Sequence, residues 1–129
     1  MKLLLDTHLL LWAAMDNLSE EAKKLLLDEN NTLYFSPASI WEIVIKKSLG
    51  RDDFNVDAEV LRRGLLDNQY LELLITSQHA LAVSDLPAIH KDPFDRILLA
   101  QAKSEGFSLV TSDSLLRKYA GPIIFIANV

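Results

Sequence analysis

Five short apolar runs constrain this chain most: residues 2–6, 32–36, 70–75, 107–111 and 123–126. Each is nearly continuous rather than alternating, the pattern of strands buried on both faces of a parallel sheet. Helical patterns separate them, over residues 9–14, 20–28, 38–49, 58–66, 78–86, 93–105 and 114–119. The start and stop signals agree. Ser19 precedes an acidic first turn, Ser36-Pro37 and Asp92-Pro93 are a cap followed by a proline at the first helical position, and Gly50 and Gly106 end their helices. Strands alternating with helices predict βαβ units, right-handed crossovers and an α/β fold with a central parallel sheet between two helical layers. Residues 51–57 and 87–91 are polar and expected to be surface loops.

The length, 129 residues, is that of one domain, so residues 1–129 are assigned to a single unit. A chain of this size buries enough surface to need no staple. The absence of cysteine excludes disulfides, thiolate metal sites and cysteine nucleophiles, and suits a reducing cytoplasm. No secretory signal pattern opens the chain, and no apolar run approaches the ~20 residues of a membrane span, so a cytoplasmic location away from membranes is expected. The net charge of −5 weighs mildly against nucleic acid. It is equally what an excess of metal-binding carboxylates would produce.

Open α/β sheets bind ligands beyond the carboxyl ends of their strands, and four acids fall there. Asp6 closes the first strand and Asp113 follows the fourth. Glu42 lies in the second turn of the helix after the second strand, and Asp95 in the first turn of the helix leading to the fourth. At about 100° per residue, Asp95 shares its arc with Leu98, Leu99 and Ala102, so it points into the protein. Such an acid is costly unless paired, protonated or metal-bound.

Each acid also has a local explanation. Asp6 and Asp113 fit caps of the turns that follow them. Glu42 fits a capping box with Ser39 or a pair with Lys46. Asp95 fits a dipole-complementing acid behind the Asp92 cap. Four carboxylates at one sheet edge would repel one another, however, and a hard cation such as Mg²⁺ or Mn²⁺ removes that conflict. His8, His79 and His90 lack zinc spacing. His8 and His79 read as helix or interface residues, while His90, in a loop beside Asp92, is placed to touch substrate. No phosphate-binding glycine loop, dinucleotide fingerprint or nucleophile elbow is present. Trp12 and Trp41 read as core or interface aromatics rather than stacking platforms.

The segments Leu4-Leu5-Asp6-Thr7-His8, Ser39-Ile40-Trp41-Glu42-Ile43, His90-Lys91-Asp92-Pro93-Phe94-Asp95-Arg96 and Val110-Thr111-Ser112-Asp113 occur in this order. Together they resemble the PIN-domain family, and within it the VapC-like toxins of prokaryotic toxin–antitoxin pairs. The resemblance spans essentially the whole chain, and the H-x-D-P-F-D-R run is its most specific piece. It implies a three-layer α/β/α domain with a five-stranded parallel sheet in the order 3-2-1-4-5. It implies a Mg²⁺- or Mn²⁺-dependent endoribonuclease. The family's acids map onto Asp6, Glu42, Asp95 and Asp113, and its strand-end hydroxyl onto Thr111. Asp92 is read as a helix cap first and an outer ligand second.

On this reading Asp6, Asp95 and Asp113 hold metal, Glu42 orients water or helps hold a second ion, and cleavage leaves a 5′-phosphate and a 3′-hydroxyl. Lys46, Lys47, Arg51, Lys91 and Arg96 are candidate RNA contacts, with Arg96 alternatively holding a carboxylate in place. The resemblance further implies a homodimer and a cognate antitoxin that blocks the pocket with a basic or amphipathic segment. The apolar residues of 9–14 and those around Trp41 are the candidates for a dimer face, or else core. The competing expectations are a non-catalytic PIN-like module that binds RNA or protein, and a phosphohydrolase of the haloacid-dehalogenase type. The latter wants a second acid where His8 stands. A receiver-type signalling domain is weaker still, because Thr76-Ser77 occupies the place of its phosphoacceptor.

Overall fold

The computed structural model describes residues 1–127. Its elements are β1 (Lys2–Leu5), α1 (Thr7–Ala14), α2 (Glu20–Leu26), β2 (Thr32–Phe35), α3 (Pro37–Ser48), α4 (Ala58–Asp67), β3 (Leu71–Glu72), α5 (Ser77–Ala82), α6 (Pro93–Glu105), β4 (Ser108–Thr111) and β5 (Ile123–Phe125). The strands form one parallel sheet in the order β3-β2-β1-β4-β5, as the resemblance implied.

β1 is central because both its faces are apolar. Alternate side chains point to opposite faces, so Leu3 and Leu5 enter one core and Leu4 the other. The first core joins them to Leu9, Leu10, Leu26, Phe35, Leu61 and Val110, under α1, α2 and α4. The second joins Leu4 to Leu98, Leu99, Ala102, Leu109 and Leu116, under α6. α3 crosses the edge between the layers, giving Ile43 to the first core and Ala38 to the second. Among the described residues no helix is long and apolar enough to cross a membrane.

Four expectations need correction. Residues 51–57 are not a plain surface loop: Asp52–Phe54 forms a 3-10 turn that buries Phe54 completely. The third strand is two residues long rather than six. Leu73 adds one more bond, donating its N–H to Phe35 O at 2.8 Å, but Leu74 and Ile75 are exposed, so the edge peels away from the sheet. The helix expected over residues 78–86 divides into α5 and a 3-10 turn, Val83–Asp85. That expected over 114–119 is a single 3-10 turn, Leu116–Lys118. α6 and the Gly106 stop occur as expected, with Gly106 at φ 72° where a residue with a side chain would be strained.

Candidate metal centre

The four acids converge at the carboxyl end of the sheet, together with Asp92 and His90. Their local roles and their convergence coexist, because each aspartate has two oxygens. Asp6 caps α1 through Oδ1, which accepts Leu9 N–H at 3.0 Å, while Oδ2 accepts the Thr111 hydroxyl. Asp113 accepts Leu115 N–H on Oδ1 at 2.8 Å and meets His90 Nε2 with Oδ2 at 2.9 Å. Asp92 caps α6 through Oδ1, with Phe94 N–H at 2.8 Å and Asp95 N–H at 3.3 Å, and turns Oδ2 toward Lys46 Nζ at 3.6 Å. Thr111 orients both ends of its corner, since its hydroxyl oxygen also accepts Asp113 N–H at 3.0 Å.

Glu42 closes no capping box. Ser36 caps α3 by accepting Ala38 N–H. Glu42 instead receives the Thr7 hydroxyl on Oε1 at 2.6 Å and Lys46 Nζ on Oε2. The Thr7 hydroxyl also approaches Ser39 Oγ at 3.0 Å. Asp6 and Glu42 are buried and form the floor. Asp113, with 32% of its side chain exposed, forms the open rim.

Asp95 differs from the others. It caps no backbone donor among the described residues, and its carboxylate Oδ2 lies 3.0 Å from His90 Nε2. Burial, then the charges of Asp92, Asp6, Glu42 and Asp113, push its pKa up to about 8. Burial also raises Asp6, against the opposing pull of the Thr111 and Leu9 hydrogen bonds. Asp113 moves the other way: partial burial opposes its charge, but the His90 hydrogen bond and the Leu115 N–H outweigh it and hold the carboxyl low. Burial works against the Lys46 ammonium too, and the hydrogen bond and charge of Glu42, with Asp92, more than reverse it.

The donor set fits a hard divalent cation. A ring nitrogen of His90 and a carboxylate oxygen each from Asp95 and Asp113 lie within 4.8 Å of one another. The oxygens around them carry more negative charge than Lys46 balances, and a cation among them would relieve the repulsion on Asp95.

The flanking cations divide. Lys46 belongs to the site, bound to Glu42 and stacked 4.9 Å from the Phe54 ring centre. Arg51 pairs with Asp53, which also meets His8 Nε2 at 3.2 Å. Arg96, a candidate RNA contact or carboxylate clamp, bonds no carboxylate among the described residues. Its guanidinium donates to the carbonyls of Pro87, His90 and Val83 at 3.0, 3.3 and 3.1 Å, and so holds the loop before α6. Lys47 and Lys91 are exposed and have no described part in the centre.

His90 was expected at the substrate and stands among the acids; its signal was the H-x-D spacing. Thr7 was not foreseen, and its only sequence signal is that it follows Asp6. His79 is a buried partner of the Thr76 cap and of Glu105. Trp41 is not core: it is 63% exposed and meets Phe94 edge-on at 5.5 Å. Leu9, Leu10 and Leu11 are fully buried, so α1 offers them to no dimer face.

The PIN domain family matches residues 3–122, a span that contains all four acids. The chain therefore belongs to the PIN-domain family, and the haloacid-dehalogenase and receiver readings fall. No curated protein matches the sequence. Solved structures similar in fold include chains from three complexes. One is VapBC2 from Rickettsia felis bound to a DNA fragment from its promoter (16% identity, TM-score 0.71, 98% of each chain). Another is a toxin–antitoxin complex from Klebsiella pneumoniae (20%, 0.66, 94% of each chain). The third is DNA-bound VapBC from Salmonella typhimurium (15%, 0.68, 97% of this chain and 98% of that one). The fold is thus that of VapC-like PIN domains.

Proposed function

We propose that this chain is a metal-dependent endoribonuclease of the VapC-like toxin type, with Asp6, Asp95 and Asp113 holding Mg²⁺ or Mn²⁺ and Glu42 beside them. The observation that carries this reading is Asp95, a buried acid crowded by four others and raised to about 8. A fold that gathers such a group among four other carboxylates suits a cation, which would let it ionise. When bound, the metal would supply an activated water and shield the phosphodiester charge.

The chain's own residues do the rest. Thr111 fixes Asp6 and Thr7 fixes Glu42, each at one oxygen, so the floor is oriented before substrate arrives. Glu42, with Lys46 on its other oxygen, would orient water or help hold a second ion. Lys46 supplies positive charge next to the acids for an incoming phosphate. The partly exposed rim at Asp113 is the side from which substrate would approach.

An antitoxin partner and a homodimer complete the reading. The likeness to chains of toxin–antitoxin complexes supports the first. An apolar groove of about 670 Å³ between the end of α1, α2 and α4, lined by Leu18, Leu27, Val56, Val60 and Leu61, offers an amphipathic partner segment a place away from the acids. The exposed Trp41 and Val44 of α3 support the second.

The test is incubation of purified chain with total RNA and Mg²⁺ or Mn²⁺, with and without EDTA. Endonucleolytic fragments with 5′-phosphates that vanish with EDTA are expected. RNA binding without cleavage at any metal concentration would establish the non-catalytic module instead.

A further inference from the structure

The loop leading into α6 is anchored far more firmly than a surface connection needs. Arg96 bonds its carbonyls from below. Tyr119, from the turn after β4, donates its hydroxyl to Pro87 O at 3.0 Å and accepts His90 N–H at 2.8 Å. These contacts fix the backbone of His90 from two directions, and its imidazole is left over the acids with 11% of the side chain exposed.

The ring's proton is placed by a second contact. Asp92 N–H donates to His90 Nδ1 at 3.2 Å. A neutral imidazole has one accepting and one donating nitrogen, so with Nδ1 accepting, Nε2 carries the hydrogen. That nitrogen bonds Asp113 Oδ2 at 2.9 Å and lies 3.0 Å from Asp95 Oδ2. The two acids come from elements 18 residues apart in sequence, the start of α6 and the turn after β4, and His90 is the group standing between them.

We propose that His90 is a positioning residue of the acidic centre: its Nε2–H holds the Asp113 carboxylate beside Asp95, aligning oxygens from α6 and from the turn after β4 before a cation arrives. This rests on the reading of the cluster as a metal centre. A neutral donor suits the task. Lysine or arginine in its place would cancel the negative charge that a cation needs, and an apolar residue would leave Asp113 to solvent. A protonated Nε2 is not a ligand atom, and Mg²⁺ takes oxygen donors, so His90 acts on the ligands and not on the ion.

The experiment has two arms, neither of which reads RNA cleavage. In the first, Mn²⁺ binding is measured by calorimetry for wild type, His90→Ala and His90→Gln, each shown to be folded by circular dichroism. His90→Ala should raise Kd by about 10–100-fold, the usual effect of removing a partner of a ligand. His90→Gln should recover most of that loss, because its amide nitrogen donates from a similar reach without an imidazole. In the second arm, long-range ¹⁵N NMR of the wild-type ring should show the Nε2–H tautomer both without and with Mg²⁺. Wild-type affinity in His90→Ala, a His90→Gln as weak as His90→Ala, or an Nδ1–H tautomer would each overturn His90's role while leaving the metal centre standing. A folded wild type that binds no Mn²⁺ would overturn the metal reading itself. If His90→Ala fails to fold, the wild-type tautomer still decides.

Discussion

The floor and the rim of the acidic centre are built on opposite plans. Each floor acid finds donors within the fold: Asp6 has a helix N-terminus and the Thr111 hydroxyl, though burial still outweighs them, and Glu42 has the Thr7 hydroxyl and Lys46. Asp95 lies against the ring of His90, and four carboxylates act against it. Buried polar groups are normally satisfied, so the contrast separates what the fold needs from what it reserves. The floor acids are held in place by the fold's own donors. Asp95 is tolerated at a cost, which a cation bound beside it would recover.

Substitution of Asp95 should have the largest effect, with opposite signs on activity and stability. Asp95→Asn should lower metal-dependent cleavage by about 10³-fold, since several kcal/mol of charge stabilisation depends on the metal. The same change should raise the melting temperature of the metal-free protein at pH 8, because a charge that burial and four neighbours oppose is gone. Differential scanning calorimetry without metal checks the second half. A floor substitution should do the reverse. Lys46→Met leaves Glu42 buried beside an apolar chain and should destabilise the protein by about 2–3 kcal/mol in urea titration. Thr111→Val, nearly isosteric, removes the hydroxyl from Asp6 and should cost about 1–2 kcal/mol in the same titration.

The pH dependence sharpens the contrast. An unfolded aspartate titrates near 3.9, and folded Asp95 near 8, so the folded state holds that proton more tightly. The stability this lends is fully present below about pH 4 and is lost as pH rises toward 8, at no more than ~1.4 kcal/mol per pH unit. Asp113, held low by His90, contributes in the other sense, and its part is lost only in acid. Metal-free protein should therefore melt earlier at pH 8 than at pH 6, and saturating Mg²⁺ should flatten that slope. The smallest effect belongs outside the centre. Arg51 and Asp53 form an exposed pair, and Arg51→Ala should change stability by less than about 1 kcal/mol.

Much of this was legible in the sequence, and for definite reasons. Continuous apolar runs revealed the parallel sheet because β1 is buried on both faces. Asp95 was legible as an inward acid because its helical neighbours Leu98, Leu99 and Ala102 are apolar, and all three are in the core. The caps were readable at Ser36 and Asp92 because capping is local. What stayed hidden depends on distant approach. His90 meets Asp113 across 23 residues and Tyr119 across 29, and Arg96 finds its carbonyls only once the loop has folded back. Phe54 looked like part of a polar loop because five of the seven residues from Arg51 to Asp57 are polar or charged and Val56 alone adds no apolar period. The capping and site readings of Asp6 and Asp113 competed in the sequence and turn out to share the two oxygens of one carboxylate.

The most direct test of the central claim is RNA cleavage by wild type and Asp95→Asn in parallel, both confirmed folded, in Mg²⁺ or Mn²⁺ and again in EDTA. The account predicts cleavage by the wild type alone, lost on chelation, while Asp95→Asn stays inert and at least as stable. Cleavage by Asp95→Asn at the wild-type rate, or wild-type cleavage that survives EDTA, would contradict it.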